Sequence, residues 1–224
     1  VEALRLRVFN QHTRQTRAFW NLPIIHALGC AGMGIVLIYV IPLAVEQGLS
    51  TTSAALTITI ISLVSIASRL GAPVVAEVWG PRKVMAASLS IQALTVFILF
   101  WAHDAWAFYL FAATFGLGFG AEWTGYLEIN RRYFGDGPMG SIYGWQMTGA
   151  FAGHAVTTFL AGLVIYVTDS FYPVFLLSAA FSAAGLLVIA TLESTSHVLI
   201  PDWEESLPPE ARSKFVPGTA VGDD

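Results

Sequence analysis

Four ionisable side chains lie inside long apolar stretches of the sequence and are the first candidates for chemistry. They are His26, Arg69, Glu122 and His154. A charge inside hydrocarbon costs about 3 kcal/mol or more, so such groups usually face a protein interior or a water-filled path and serve a function. A guanidinium can bind a carboxylate, and a carboxyl or imidazole group can bind and release a proton. This set indicates anion recognition, with proton exchange as an option.

Polar neighbours at helical spacing extend two of these positions into stripes. Ser62, Ser65 and Arg69 form the first stripe, and Gln146, His154 and Thr158 form the second. Residues three, four or seven apart share one face of a helix. At about 1.5 Å per residue, Arg69 lies roughly 13 Å from the nearer membrane surface, Glu122 roughly 10 Å and His154 roughly 18 Å. We expect the first stripe and His154 to line a substrate site, and Glu122 and His154 to be the candidates for proton coupling.

Each candidate also has a purely structural explanation. Arg69 could form a buried ion pair or extend towards the membrane surface, although a depth of about 13 Å is far for its side chain to reach. Glu122 could be a neutral acid that joins two helices, and His154 could be an interhelical hydrogen-bonding group. For His26 we expect the structural role.

The elements that must position these groups are membrane-spanning helices. The 224 residues are 55% hydrophobic and only 12% charged, whereas a soluble domain is about 25% charged. Cys30 is the only cysteine, which excludes an internal disulfide and a cysteine-based metal site, and we expect no cofactor. A span needs about 20 mostly apolar residues. Six segments qualify: Phe19–Val45, Ala54–Val78, Val84–Ala102, Ala105–Ile129, Ile142–Val167 and Tyr172–Leu192.

Charge placement predicts the orientation of these spans. Apart from Arg69, the lysines and arginines lie before the first span, in the WGPRK turn, at Arg131–Arg132 and in the tail, while the alternate turns carry only Glu46, Asp104 and Asp169 as charged groups. The positive-inside rule therefore puts both ends in the cytoplasm of a multi-pass protein, expected in the plasma (cell inner) membrane. We expect residues 1–18 to be a cytoplasmic linker, 19–193 the transmembrane domain and 194–224 a polar, disordered cytoplasmic tail.

The polar groups are distributed in a repeating pattern. The third and sixth spans contain no ionisable side chain, whereas the first, second, fourth and fifth hold His26, Arg69, Glu122 and His154 respectively. This pattern predicts an all-α membrane protein with six helices in a 3+3 inverted repeat, in which the third and sixth helices lie outermost. Two glycine pairs, Gly116/Gly120 and Gly149/Gly153, have the small-xxx-small spacing that allows helices to approach closely. The chain begins with Val1 and not methionine, and we expect it to be a piece of a longer protein.

The segment PLAVEQGLSTTSAALTITIISLVSIASRLGAPVVAEVWGPRKVM resembles helices seven and eight of major facilitator superfamily transporters. Its end resembles the superfamily's cytoplasmic loop signature, with Glu77, Gly80, Arg82 and Lys83 at the signature positions. GLGFGAE and the run from Tyr143 to Gly162 resemble helices ten and eleven. The likeness extends over about Phe19 to Glu193 and is strongest to the monocarboxylate and oxalate/formate-type branch. It implies the C-terminal half of a twelve-helix fold, with an N-terminal six-helix half as partner.

In that branch a helix-eight arginine binds the substrate carboxylate, and Arg69 matches its position. The resemblance also implies that the loop from Glu77 to Lys83 takes part in gating. Two positions depart from the pattern. Ser65 stands where monocarboxylate transporters commonly have a proton-coupling aspartate, and Gly149 stands where oxalate/formate-type members have a lysine. A second cation for a dicarboxylate is missing unless a protonated His154 serves instead, so a monocarboxylate fits better.

These observations predict a permease for small organic anions that works by alternating access, with symport of protons left open. One alternative is a non-transporting receptor or assembly module built on a transporter half. An enzyme is not expected, because the sequence has no Gly-x-Ser-x-Gly elbow, His-Glu-x-x-His helix or phosphate-binding loop. The expected partners are a small organic anion, protons, the lipid bilayer and the N-terminal half, and not nucleic acid.

Overall fold

A computed structural model describes residues 1–135 and 137–213, and within these ranges the chain is mainly α-helical without a β-strand. Asp136 and residues 214–224, which include Lys214, lie outside the described residues. The α-helices are α1 (Glu2–Thr13), α2 (Arg17–Glu46), α3 (Thr51–Trp79), α4 (Pro81–Thr95), α5 (Ala105–Phe134), α6 (Gly140–Thr168) and α7 (Tyr172–Ala190). Short 3-10 helical segments follow α4 (Val96–Phe100) and occur in the tail (Trp203–Ser206 and Pro209–Ala211).

Five helices are long and apolar enough to cross a membrane: α2, α3, α4 with its 3-10 extension, α6 and α7. This confirms an all-helical, multi-pass membrane architecture. The helix α5 is not in that set, although its 30 residues equal α2 in length, and it carries Glu122, Glu128, Arg131 and Arg132. The sixth span and the 3+3 repeat therefore stay predictions.

Helix starts and turns follow the local sequence. Thr16 caps α2 by accepting a hydrogen bond from the Phe19 backbone N–H at 3.3 Å, and Ser50 caps α3 in the same way. Such caps satisfy backbone donors that have no partner within the helix. Gly80 joins α3 to α4 with a φ of +88°, in a region that favours glycine. The turn lets α4 run back beside α3.

Glycines let two helix pairs approach until backbone touches backbone. A Cβ atom on Gly120 of α5 would lie 2.3 Å from the Ser65 carbonyl oxygen of α3. A Cβ atom on Gly153 of α6 would lie 2.1 Å from the Ala27 carbonyl oxygen of α2. The close approach predicted from the two glycine pairs is confirmed, and it fixes the helices that carry the candidate residues.

The most exposed apolar helices are α3 and α6. Only 17% of the most apolar stretch of α3 and 22% of that of α6 are buried, compared with 44% for α4 and 39% for α7. Within the described residues α4 packs on α5 and α7, and α7 packs on α2, so the expectation that the third and sixth spans lie outermost stays a prediction. A broad apolar surface on α3 and α6, the helices of Arg69 and His154, is left uncovered.

One end of the bundle carries most of the cations and is called the basic end below. Three helices, α2, α4 and α6, begin at this end, and three others, α3, α5 and α7, finish there. Hydrogen bonds between residues at these helix ends show that they meet. Tyr133 donates a hydrogen bond to the Glu193 carbonyl, Asn21 to the Thr191 hydroxyl at 3.0 Å, and Arg82 to the Ala190 carbonyl at 2.7 Å. This is the end that the positive-inside rule predicts to be cytoplasmic.

The helix α1 and the tail pack together on the basic end. Phe9 is fully buried against the edge of Trp203, with ring centroids 5.0 Å apart. Arg5 donates to the Ala211 carbonyl at 2.7 Å and lies over the Trp203 ring. Over residues 194–213 the structure therefore differs from the disorder expected for 194–224. The segment is polar in composition, but it contains a few apolar side chains that are buried, among them Trp203 against Phe9. Residues 214–224 of that range lie outside the described residues.

We expect acid to loosen the tail from α1 through Glu204. Burial by itself would raise the pKa of Glu204, but hydrogen bonds from the Ser213 backbone and the Arg5 guanidinium outweigh burial and lower the pKa. A carboxyl group with a lowered folded-state pKa stabilises above its unfolded pKa, and this contribution is lost as the pH falls through the folded pKa. Trp203 fluorescence should therefore change as the pH falls below about 4.5, the ordinary pKa of glutamate. Glu204→Gln should remove this step, and an unchanged step in that variant would contradict the assignment.

Candidate functional site

Arg69 lies half-buried on α3 and makes no ion pair with any carboxylate in residues 1–135 and 137–213. Its guanidinium carbon lies 5.5 Å from the ring centroid of Phe119 and 5.5 Å from that of Trp123, both on α5. These distances fit cation–π contacts, which hold the guanidinium without neutralising it. Its Nε atom is buried and has no hydrogen-bond partner. Of the candidate residues, Arg69 is therefore the one cation held inside the bundle without a counter-charge in the described chain.

Trp123 connects Arg69 to a second polar side chain. The His26 ring of α2 meets Trp123 edge to face at 6.0 Å and stacks on Tyr126 at 3.9 Å. The Trp123 indole Nε1 and both His26 ring nitrogens are buried without a partner. Buried polar atoms are usually hydrogen-bonded, so unsatisfied groups need an explanation. Three neighbouring side chains with free hydrogen-bonding groups are typical of a site that receives a ligand or water.

Glu122 is buried and fully engaged by other side chains. Gln92 of α4 donates to its Oε2 at 2.6 Å, and the Tyr126 hydroxyl donates to its Oε1 at 2.8 Å. Gly29 of α2 leaves the space for this carboxyl group, because a Cβ atom there would lie 1.9 Å from Oε1. The Gln92 Oε1 atom has no partner and, after rotation of the amide group, could accept a hydrogen bond from the O–H of the neutral carboxylic acid. The site can therefore hold both protonation states of Glu122.

Arg69 and Glu122 lie on different sides of α5. Neighbouring positions on a helix point about 100° apart. Trp123 faces Arg69, while Glu122 faces α2 and α4. The similar depth predicted for the two charges does not bring them into contact. His26 and Tyr126 form the link between the two environments.

The two serines of the first stripe lie in different surroundings. Ser65 is buried against Gly120 of α5, and its hydroxyl donates to the Ser62 carbonyl at 2.8 Å. Ser62 is exposed on the free face of α3. A hydroxyl that is satisfied by its own helix contributes little to ligand binding. Within the stripe, Arg69 has a hydrogen-bond donor without a partner, and Ser62 is exposed to an incoming ligand.

His154 packs into the interface between α6 and α2. Its Nδ1 lies 2.6 Å from where a Cβ atom on Gly34 would be, and the ring is half-buried. Gly34 lies eight residues beyond His26, or about 12 Å along α2. The rest of the second stripe is engaged elsewhere: Gln146 exchanges two hydrogen bonds with Asn130 of α5, and Thr158 donates to the His154 carbonyl.

The loop residues from Glu77 to Lys83 lie at the basic end, away from Arg69. Glu77 is exposed and forms no ion pair in residues 1–135 and 137–213. Arg82 instead donates to the last carbonyl of α7, Ala190, and Gly80 makes the turn. In this conformation Arg82, and not Glu77, joins α4 to a neighbouring helix.

Four other side chains contact the candidate residues or the polar stripes around them: Trp123, Tyr126, Gln92 and Asn130. The sequence contains signals for two of them. Tyr126 lies four residues after Glu122 and so on the same helical face, and Gln92 is the most polar group of its span. Nothing in spacing identifies Trp123 as a bridge, because its role depends on how α2 and α3 meet α5. The described residues contain no group of histidine, cysteine or acidic side chains that could hold a metal ion.

Comparison with known proteins agrees with the helical architecture. No curated protein matches this chain. Residues 16–220, most of the chain, match the sequence profile of the Major Facilitator Superfamily. Members of this superfamily are membrane transporters and not enzymes. The match includes every helix from α2 to α7 and all the candidate residues. The chain belongs to the major facilitator superfamily of membrane transporters.

Proposed function

We propose that the protein is a permease for small organic anions, most suitably monocarboxylates, with Arg69 as the carboxylate-binding residue. The observation that carries this proposal is the unpaired guanidinium of Arg69 beside the unpartnered indole N–H of Trp123. Two donors of this kind can hold the oxygens of one carboxylate, and the Phe119 and Trp123 rings supply apolar contact for a short carbon chain. A single cation favours one carboxylate per substrate over two.

Proton coupling is the second element of the proposal, with Glu122 and His154 as carriers. Glu122 has partners suited to both its charged and its neutral form, through Gln92 and Tyr126. His26 stacks on Tyr126 and contacts Trp123, so a change at Glu122 can reach the substrate side of α5 through these rings. His154 would act farther along α2, near Gly34. Such coupling would make the protein a symporter.

The third element is a second six-helix half that covers the free faces of α3 and α6. These faces expose large apolar side chains such as Leu63, Leu70, Phe159 and Tyr166, while the helices also carry Arg69 and His154. Ser62 opens to the same side as the uncovered surface of α3. Rocking of two halves around this surface would give alternating access, with the basic end in the cytoplasm of a plasma (cell inner) membrane and the loop from Glu77 to Lys83 as the gate.

Uptake by the full-length protein in proteoliposomes tests the proposed function. Labelled lactate or pyruvate should enter with saturable kinetics, and unlabelled monocarboxylates should compete. The matching dicarboxylates, oxalate and malonate, should compete at least about tenfold more weakly, because the second carboxylate has no cation. If no monocarboxylate shows saturable uptake, and the purified protein retains another subunit stoichiometrically, the alternative of an assembly module replaces the permease.

We expect Glu122→Gln to uncouple transport from the proton gradient without unfolding the protein. Glutamine keeps the shape, and the Gln92 amide can rotate so that its free Oε1 accepts the new N–H group. With an inward proton gradient, substrate accumulation should fall to the level that is reached by substrate exchange without a gradient. Exchange of labelled for unlabelled substrate should persist. Gradient-driven accumulation at the wild-type level in this variant would remove Glu122 as proton carrier.

A further inference from the structure

A cavity of about 390 Å³ lies at the basic end, between the start of α4 and the end of α7. Its polar side is formed by Arg82, Lys83 and Thr195, and its apolar side by Leu186 and Ile189. The volume is within the range of about 300–1,000 Å³ of ordinary ligand sites. One half of the cavity therefore suits an anion and the other half suits hydrocarbon.

The two cations in this cavity differ in how firmly they are held. Arg82 is anchored, because it donates to the Ala190 carbonyl at 2.7 Å and so stands over the last turn of α7. Lys83 is exposed and makes no hydrogen bond or ion pair in residues 1–135 and 137–213. Glu77, the nearest acidic residue in sequence, pairs with neither of them. Glu193, beside the lining residue Ser194, forms no ion pair with them either, so the described lining itself carries two cations and no acidic side chain.

Trp79 lines this cavity and also an adjacent groove, and its exposure indicates that the cavity lies at the membrane surface. Its side chain is 62% exposed, and exposed tryptophans at helix ends are typical of the boundary between headgroups and hydrocarbon. Trp79 also lines an adjacent groove of about 380 Å³ that runs between α3, α4 and α5. That groove is lined mainly by small and apolar side chains such as Gly71, Val75 and Ile91. One apolar groove thus meets a polar cavity that has an apolar wall of its own.

We infer that this cavity binds an anionic glycerophospholipid of the surrounding leaflet, with its phosphate at Arg82 and Lys83 and its acyl chains on either side of Trp79. A cation pair near the membrane surface attracts anionic lipid headgroups. The apolar walls distinguish a lipid from a free phosphate, which would leave them without contact. The lipid would join α4 to α7. This inference does not depend on which substrate the protein carries.

Native mass spectrometry of the purified full-length protein tests the inference. With dioleoylphosphatidylglycerol and dioleoylphosphatidylcholine supplied at equal concentration, we expect the anionic lipid to be retained at least about fivefold better. Arg82→Gln combined with Lys83→Gln should lower its retention about tenfold, to the level of the zwitterionic lipid. The matched control, Arg131→Gln with Arg132→Gln, removes the same charge from the same end outside the cavity and should change retention less than about twofold.

Two further measurements separate the inference from simpler explanations. Lys83→Gln alone removes no contact within residues 1–135 and 137–213, so it should leave the thermal midpoint unchanged and still lower retention of the anionic lipid about threefold. Inorganic phosphate in large excess should not displace the lipid, because it cannot occupy the apolar groove. Equal retention of both lipids, equal losses in the two double variants, or displacement by inorganic phosphate would each overturn the inference. Substrate uptake is not part of this test, so its failure is separate from failure of the proposed permease.

Discussion

Replacing Arg69 by alanine should lower kcat/KM for monocarboxylate uptake about 100-fold, which corresponds to about 2.7 kcal/mol. The guanidinium has no carboxylate partner in the described chain, so its removal leaves no buried charge unpaired and the fold should tolerate the change. The loss should therefore be one of substrate binding and not of folding. The measurement is the initial rate of saturable uptake into proteoliposomes that contain equal amounts of folded protein.

Two matched variants show whether that effect belongs to the site. Arg69→Lys keeps the charge but loses the planar pair of donors and the stacking on Phe119 and Trp123, so we expect a loss of about tenfold. Arg131→Ala removes an exposed arginine at the basic end and should leave uptake unchanged. Equal losses in Arg69→Ala and Arg131→Ala would show that general positive charge, and not a defined site, supports uptake.

Gly120→Ala should produce a large loss of stability from the addition of a single methyl group. The new methyl group would lie 2.3 Å from the Ser65 carbonyl and 2.7 Å from the Ser68 Cβ atom, so α3 and α5 must separate. Overpacking against backbone typically costs about 1–3 kcal/mol or more. The thermal midpoint in detergent should fall by about 5 °C or more. Since Arg69 reaches α5 across this same contact, uptake should fall as well.

The control for that variant is Gly71→Ala on α3. A Cβ atom at Gly71 meets nothing within 4 Å, and alanine is the better helix former by about 1 kcal/mol. The same substitution should therefore raise or preserve the midpoint at Gly71 and lower it at Gly120. A lowered midpoint in both variants would mean that helix propensity or membrane insertion, and not the contact between α3 and α5, decides the result.

The membrane-spanning helices and their close contacts could be predicted from sequence because each depends on local patterns. Apolar length predicts the spans, and small-xxx-small spacing predicts which faces of α5 and α6 approach a neighbour. The tail was harder to predict. Trp203 is buried against Phe9, which lies almost two hundred residues earlier, and composition contains no information about such a contact. The exposure of α3 likewise depends on which helices cover it.

The candidate site was predictable in its charges but not in its connections. Arg69 and Glu122 stand out because a charge in an apolar span is rare. That they lie on different sides of α5, joined through Trp123, Tyr126 and His26, depends on helix rotation and on Gly29 making space for the carboxyl group. These are tertiary features, and a periodic pattern on one helix does not determine them.

The proposed function depends most on direct contact between the substrate carboxylate and Arg69, which a binding cycle measures. Affinities of lactate and of its neutral amide are determined for the wild-type full-length protein and for Arg69→Ala. We predict that the wild-type protein prefers lactate at least about tenfold and that this preference disappears in the variant. The same lactate-to-amide ratio in both proteins would show that the carboxylate does not bind at Arg69, and would contradict the central claim.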